Sequence, residues 1–284
     1  MNDIYLFSID LEDVRFQMEG GRRYAERVPD NTRRYLAWLK GHSFHCTFFA
    51  AGDVAEAYPG LIREILDEGH ELGCHTSRHV PLDRMTPAEF RADLESNVDA
   101  LRRAGAKDVQ GFRAPIFSLV EKTAWAYGVL KELGFAYSSS VLPAKNPFYG
   151  WPEFGPAPKR VDGIWELPMT VARIGPYVVP AAGGVYFRVL PRSFVMRAAA
   201  RARRSDRPLL GYCHPYDIDT AQERFMHPDI DDSRSYNYLM YYNRKSVFPR
   251  LDAVLKKGFR IVTYAEFVGT LPAVIPSEAR DRVG

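Results

Sequence analysis

Apolar side chains recur along this chain in two rhythms. Short runs rich in β-branched and aromatic residues, at 4–9, 44–50, 71–74, 109–112, 135–139, 209–213 and 259–263, have the length and composition of strands. Between them lie stretches of helical period. The clearest opens at Thr86-Pro87-Ala88-Glu89, a capping box with proline at the first helical position, and continues through Leu94, Val98 and Leu101 to a stop at Gly105. A second follows Pro59, with Leu61, Ile62, Ile65 and Leu66 on one face and Gly69 as its end. Further helices are predicted over 30–40, 121–133, 191–204 and 244–257. Strand and helix thus alternate, the pattern of a parallel sheet with crossover helices, either closed into a barrel or open and doubly wound. The stretch 143–184 breaks the rhythm. Its prolines at 143, 147, 152, 156, 158, 168, 176 and 180, crowded among aromatics, predict long loops with a few strands inserted into one domain over 1–270, and 271–284 reads as a tail.

Composition narrows the class without naming a function. With 284 residues, 46% of them hydrophobic and 26% charged, the chain has enough apolar material for a full core. Lys plus Arg number 38 against 35 Asp plus Glu, so the net charge of +3 gives no electrostatic case for nucleic acid, which we do not expect as a partner. One local exception is the arginine-rich stretch from Arg197 to Arg207, read either as a solvated helix face or as a contact for phosphate or an anionic membrane surface. The start of the sequence has no secretory pattern, and Cys46, Cys74 and Cys213 are few, odd in number and widely spaced. Together these predict a cytoplasmic protein.

Four polar clusters begin where predicted strands end: Asp10-Leu11-Glu12-Asp13, His75 to His79, Arg113-Ala114-Pro115 and His214-Pro215-Tyr216-Asp217. In parallel α/β folds the carboxyl ends of strands converge on one face, so these clusters can share a cleft. His75 and His79, four apart, would face the same way on a helical turn and hold a divalent ion, with zinc the first choice for two imidazoles and a carboxylate. The carboxylate is Glu12 or Asp13. Asp10 and Glu12 face alike in an extended segment, whereas Asp13 joins them only through a bend. Arg113 beside Asp10 would keep that carboxylate ionised for work as a general base, and His214 at a strand mouth can protonate a leaving group. By alternation, Cys74 and Cys213 face away from the cleft into packed helices.

These clusters, in this order, resemble the polysaccharide deacetylase family, the NodB-homology or carbohydrate esterase family 4 group, over most of the chain. The stretches Phe7 to Asp13, Phe112 to Pro115, Trp165 to Pro168 and Gly183 to Pro191 are more narrowly similar to the branch found in exopolysaccharide and surface-glycan loci. The resemblance implies a distorted, incomplete (β/α) barrel and metal-dependent removal of N-acetyl groups from an aminosugar. It also implies substrate contacts at Pro115, Ile116 and Trp165, with the Ile116 backbone N–H in an oxyanion site. The expected partner is an aminosugar-containing glycan, or its lipid-linked or nucleotide-linked intermediate. Where the family's common first motif has two adjacent aspartates, this sequence reads Asp10-x-Glu12-Asp13. Some relatives with glutamate there lack the metal and act on small cyclic amides, so an amidohydrolase of a small cyclic amide or ureide is the alternative. A non-catalytic glycan-binding module, stacking sugars on Phe148, Tyr149, Trp151, Phe154 and Trp165, is the third reading.

Overall fold

The computed structural model describes residues 3–272, so all but the first two positions of the expected 271–284 tail lie outside the described residues. Its strands are β1 (Ile4–Leu11), β2 (Thr47–Ala50), β3 (Glu71–Cys74), β4 (Gly111–Phe112), β5 (Tyr137–Ser138), β6 (Lys159–Val161), β7 (Ile164–Glu166), β8 (Val171–Ile174), β9 (Tyr177–Pro180), β10 (Leu209–Cys213) and β11 (Arg260–Ile261). The main sheet runs β10-β1-β2-β3-β4-β5-β7-β6, with β11 beside the start of β1. All of its pairings are parallel except that of β6 with β7. Helices cover the outer face. All eight residues of β1 are buried, as expected for a parallel strand flanked by two others and packed on both faces.

The hydrogen-bond path of this curled sheet ends at β10 on one side and at β6 on the other, so the barrel is incomplete. The separate β8–β9 hairpin lies along the open seam, where the Leu210 amide donates to Thr170 Oγ1 at 2.8 Å. The long loop segment therefore does hold strands: β6 to β9 all lie within it. Two apolar layers result. One, between β1–β2 and the helices, holds Phe7, Phe48, Tyr35 and Leu101; the other fills the sheet's concave side with Leu6, Phe49, Tyr137, Met169 and Tyr264.

The helix Pro87–Arg103 carries the expected capping box between Thr86 and Glu89. The predicted helix at 121–133 is instead a short 3-10 turn, Glu121–Thr123, followed by Ala126–Glu132. Strands are shorter than the apolar runs that announced them, because part of each run serves the preceding turn. Phe44, for example, donates its amide to Leu39 O and closes a helix rather than pairing in β2. The helix Arg234–Tyr241 was not legible in the sequence, since none of its residues is buried and it has no core-facing stripe. Among the described residues no helix is long and apolar enough to cross a membrane.

Candidate metal and hydrolytic site

Strand topology brings the four polar clusters to one mouth. β1 lies between β2 and β10 while β3 lies between β2 and β4, so residues at or just past the ends of β1, β3, β4 and β10 rim a single cleft, Asp10 being still within β1 and not, as expected, beyond it. Asp10, Glu12, His75, His79, Ile116 and His214 all line it. At its floor Asp10 and Glu12 are each only 3% exposed and His75 2%.

His75 and His79 meet by a different route from the helical turn that their spacing predicts. Residues 75–79 form an irregular loop, in which Thr76 (φ 62°) and His79 (φ 56°) adopt left-handed conformations. That loop is held from outside. The Gly52 and Asp53 amides donate to Thr76 O and Ser77 O, Asn97 Nδ2 donates to Thr76 O, and Asp93 Oδ2 accepts the Ser77 amide. The two imidazole rings end 5.0 Å apart, centre to centre. One ligand atom each from Glu12, His75 and His79 lies within 4.8 Å of the others, the only such group among the described residues.

The donor set fits a divalent cation. His75 Nδ1 sits 2.8 Å from Arg113 O, which fixes the ring and leaves Nε2 for a metal, the usual outer partner of a metal-binding histidine. His79 Nε2 is 2.6 Å from Glu12 Oε2, and its Nδ1 has Asp229 Oδ2 at 3.6 Å with no hydrogen bond. Burial lowers the His75 imidazole to about 4, keeping it neutral as a ligand must be. Burial opposes charge on His79 as well, but the Glu12 carboxylate pushes it up to about 10, so a cation would bind there by displacing the imidazole's proton. Burial would raise Glu12 too; His79, His214 and His75 outweigh it and hold the carboxyl well below its usual range.

Asp13 is not part of this set. A bend after Glu12 turns its carboxylate the other way, where Arg15 binds it through Nε and Nη2, with Nη2–Oδ2 at 2.7 Å, and the Tyr58 hydroxyl donates to it at 3.2 Å. An aspartate neutralised by its own arginine has no charge left for a metal. Of the two carboxylates the sequence left open, Glu12 is the one in place.

Asp10 accepts from Arg113 Nη1 at 2.6 Å through Oδ1. Arg113 is wholly buried and saturated. It also donates to Ser8 Oγ, Ser139 O, Ser139 Oγ and the Tyr264 hydroxyl, and its guanidinium lies over the Phe49 ring. Across the cleft, His214 Nδ1 is held by Asp217 Oδ2 at 2.9 Å, and Nε2 points toward Glu12 Oε1 at 3.7 Å. Asp217 is in turn gripped by the buried Arg188 at 2.8 Å. Burial would depress the His214 imidazole, yet the hydrogen bond and charge of Asp217 raise it above its ordinary value. Next to it, the Gly183-Gly184 pair lets the chain cross the Tyr212 ring; a Cβ at Gly183 would stand 2.2 Å from Tyr212 Cδ1.

Ile116 follows Pro115 in a left-handed conformation (φ 53°), a strained choice for a β-branched residue and one that clusters at functional sites. Pro115 is buried beneath it. Trp165 is displaced from its expected place. It does not line the cleft but packs with the concave-side cluster of Tyr137 and Met169, under the Arg160 guanidinium. Strand alternation explains this, and it is the next residue, Glu166, that reaches the site's scaffold. Its Oε1 accepts the Ser140 and Val141 amides, fixing the serine turn that clasps Arg113. Of the proposed sugar-stacking aromatics only Phe148 reaches the cleft, since Trp151 and Phe154 pack against each other and the Tyr149 hydroxyl donates to Asp83. Cys74 and Cys213 are free thiols buried away from the cleft, as alternation requires.

Sequence reasoning gave no role to Asp217, Arg188, Asp229 or His227. Asp217 was visible in principle, three residues after a histidine at a strand end. His227 lines the cleft among the Tyr216, Phe225 and Tyr241 rings, and burial lowers it to about 3. No spacing pattern points to it.

Residues 21–138 match the family profile described as "Polysaccharide deacetylase", and residues 139–268 match one described as "Domain of unknown function (DUF3473)". The two meet inside one continuous sheet, after β5. Among curated proteins, the peptidoglycan-N-acetylglucosamine deacetylase of Bacillus cereus is 31% identical over 96 residues, 34% of this chain and 35% of that protein. The chitooligosaccharide deacetylase of a Bradyrhizobium strain is 38% identical over 76 residues, 27% of this chain and 35% of that one. The aligned part thus spans about a third of each relative. Among solved structures, a candidate polysaccharide deacetylase from Mycobacterium smegmatis superposes with a TM-score of 0.61 at 16% identity, covering 96% of both chains. A family 4 carbohydrate esterase from Streptomyces lividans does so with 0.51 at 15%, covering 92% of both. At such identity these two show a shared fold, the curled half-barrel. Fold, ordered motifs and profile agree: residues 21–138 match the polysaccharide deacetylase model, and the chain shares the curled half-barrel of a family 4 carbohydrate esterase.

Proposed function

We propose that this protein is a metal-dependent N-deacetylase of an aminosugar in a surface glycan or its cytoplasmic intermediate. One observation carries the reading: Glu12, His75 and His79 converge within 4.8 Å in the same cleft as an Asp10 that Arg113 orients at 2.6 Å. Glu12, His75 and His79 would hold the cation, which when bound supplies Lewis-acid polarisation of the amide carbonyl and a water of lowered pKa. Zinc suits the donors, and cobalt, nickel or manganese would fit them too.

The chain's own groups do the rest. Asp10 keeps Oδ2 free while Oδ1 is tied to Arg113, so it accepts the proton of the attacking water. The Ile116 backbone N–H, on a left-handed turn in the cleft's lining, donates to the developing oxyanion. His214, raised by Asp217 and aimed inward through Nε2, gives its proton to the departing amine as the C–N bond breaks, leaving acetate and a free amino sugar. The exposed Arg197, Arg201 and Arg204, outside the cleft, would meet an anionic membrane surface; Arg203 is occupied by Asp3 and the Phe259 ring.

Acetate release from N-acetylated aminosugars by metal-loaded protein, beside His75→Ala, Asp10→Asn and His214→Ala, tests this. Each substitution should cost at least about 100-fold in rate. Equal turnover by all four proteins would remove the proposal.

A further inference from the structure

The cleft that holds these side chains is bridged at its rim. Phe148, from the proline-rich segment, and Tyr236, from the helix Arg234–Tyr241, both line it and meet edge to face with ring centres 5.4 Å apart. Both rings are half-buried, whereas Asp10, Glu12 and His75 are almost inaccessible, so the aromatic pair lies at the outer edge of the cleft and the chemistry at its depth.

Each foot of this arch is anchored. On one side the Phe148 amide donates to Asn146 Oδ1 at 3.0 Å, Asn146 Nδ2 reaches the Tyr186 hydroxyl at 3.3 Å, and the neighbouring Tyr149 hydroxyl donates to Asp83 at 2.7 Å. On the other, Ser233 caps the helix, and Asn237 pins it by accepting the His227 amide and donating to Phe225 O, both at 3.0 Å. An edge-to-face aromatic contact contributes about 0.5–1.5 kcal/mol beyond the area it buries, and with both feet tied it costs little entropy to hold.

A sugar in the interior of a polymer has chain leaving it on two sides. To place its acetamide on the floor of the cleft, both arms must pass the rim, and an arch across the rim blocks one of them. Resting on the deacetylase reading, we infer that the Phe148–Tyr236 arch makes the cleft a blind pocket, and that the enzyme takes an N-acetylated sugar at a chain end or in a short glycan unit and not within a long polymer.

The test uses metal-loaded full chain and end-labelled N-acetylhexosamine oligomers from monosaccharide to long chains, with the deacetylated position read by mass spectrometry. Wild type should act on the terminal sugar, with kcat/KM that does not rise as the chain lengthens. Phe148→Ala and Tyr236→Ala, both at a half-exposed rim, should raise the ratio of interior to terminal deacetylation by about tenfold, the scale on which pocket shape discriminates substrates. Unchanged melting temperatures serve as the folding check. Interior sugars processed by wild type as fast as terminal ones would overturn the inference and leave the deacetylase reading standing. A ratio unmoved by either substitution would overturn the arch as its cause. No acetate from any length, wild type or variant, would bring down the deacetylase reading and this inference with it.

Discussion

Two glutamates at opposite ends of the same sheet show what separates a working carboxylate from a structural one. Glu12 follows the last residue of β1, at the mouth; Glu71 begins β3, at the foot. Glu12 is buried and Glu71 partly buried. Glu71 is met by neutral donors alone: the Thr47 hydroxyl, the Tyr137 hydroxyl at 2.6 Å and the Ala265 amide at 3.1 Å. Burial raises its pKa and those hydrogen bonds only partly offset the rise. Glu12 faces three imidazoles and has its pKa driven down. The foot network is closed, with both carboxylate oxygens held by fixed donors. The mouth network is open, with His79 Nδ1 lacking a hydrogen bond and His75 Nε2 directed at the cleft. Buried polar groups left with unused capacity mark a place meant for something else to bind.

The sharpest break between the two ends should come from removing charge at each without changing shape. Glu12→Gln should lose at least about 100-fold in acetate release, beyond what removing an outer partner of a metal ligand costs, with bound metal lost in elemental analysis. Glu71→Gln should leave activity per folded molecule and metal content as they were. Should the two variants lose metal equally, the distinction between open and closed networks fails.

Next in size is the far wall of the mouth. Asp217→Asn keeps the shape but no longer dictates which nitrogen of His214 carries the proton, so kcat should fall by roughly 100-fold while metal content stays at the wild-type level. Loss of metal in that variant would show that Asp217 supports the ligands and not the acid.

How much of this was legible follows the same division. The mouth was readable because chemistry there is written in charged residues placed directly after apolar strands, which is how Asp10, His75, Arg113 and His214 were found. What the sequence concealed was the direction each side chain takes after its strand ends. The left-handed residues that replace a helical turn at 75–79 are held by distant segments, the bend after Glu12 hands Asp13 to Arg15 two residues on with Tyr58 added from afar, and the choice of Glu166 over Trp165 turns on the exact register of a three-residue strand. The foot left no trace at all. Glu71, Thr47 and Tyr137 look like ordinary strand residues, and their network exists only because β2, β3 and β5 assemble in order and the helix Tyr264–Gly269, through Ala265, closes over them.

At the foot, Glu71→Ala strands a tyrosine hydroxyl, a threonine hydroxyl and a backbone N–H with no acceptor. It should lower unfolding free energy by about 2 kcal/mol in urea titrations, since unsatisfied buried donors cost about 1–3 kcal/mol each and water recovers part of that. A loss no larger than that of an ordinary surface substitution would mean the network is not closed in solution.

The smallest effect is also the most specific to Glu71. Its pKa is higher in the folded chain than in the unfolded one, so between the ordinary carboxyl value of 4.5 and the raised folded value the native state holds a proton that the unfolded state has released. Stability from this group is therefore complete below about pH 4.5 and drains away as pH rises through the folded value, with a slope that one proton limits to about 1.4 kcal/mol per pH unit. Glu71→Gln cannot titrate. The stability difference, wild type minus variant, should fall with rising pH across that window and then level off. Because Glu12, with its lowered pKa, contributes in the opposite sense and at lower pH, only the downward slope can come from the foot. A difference that stays flat, or climbs, would show that the Glu71 carboxyl is as ionised in the fold as in water and that the two ends differ less than their partners imply.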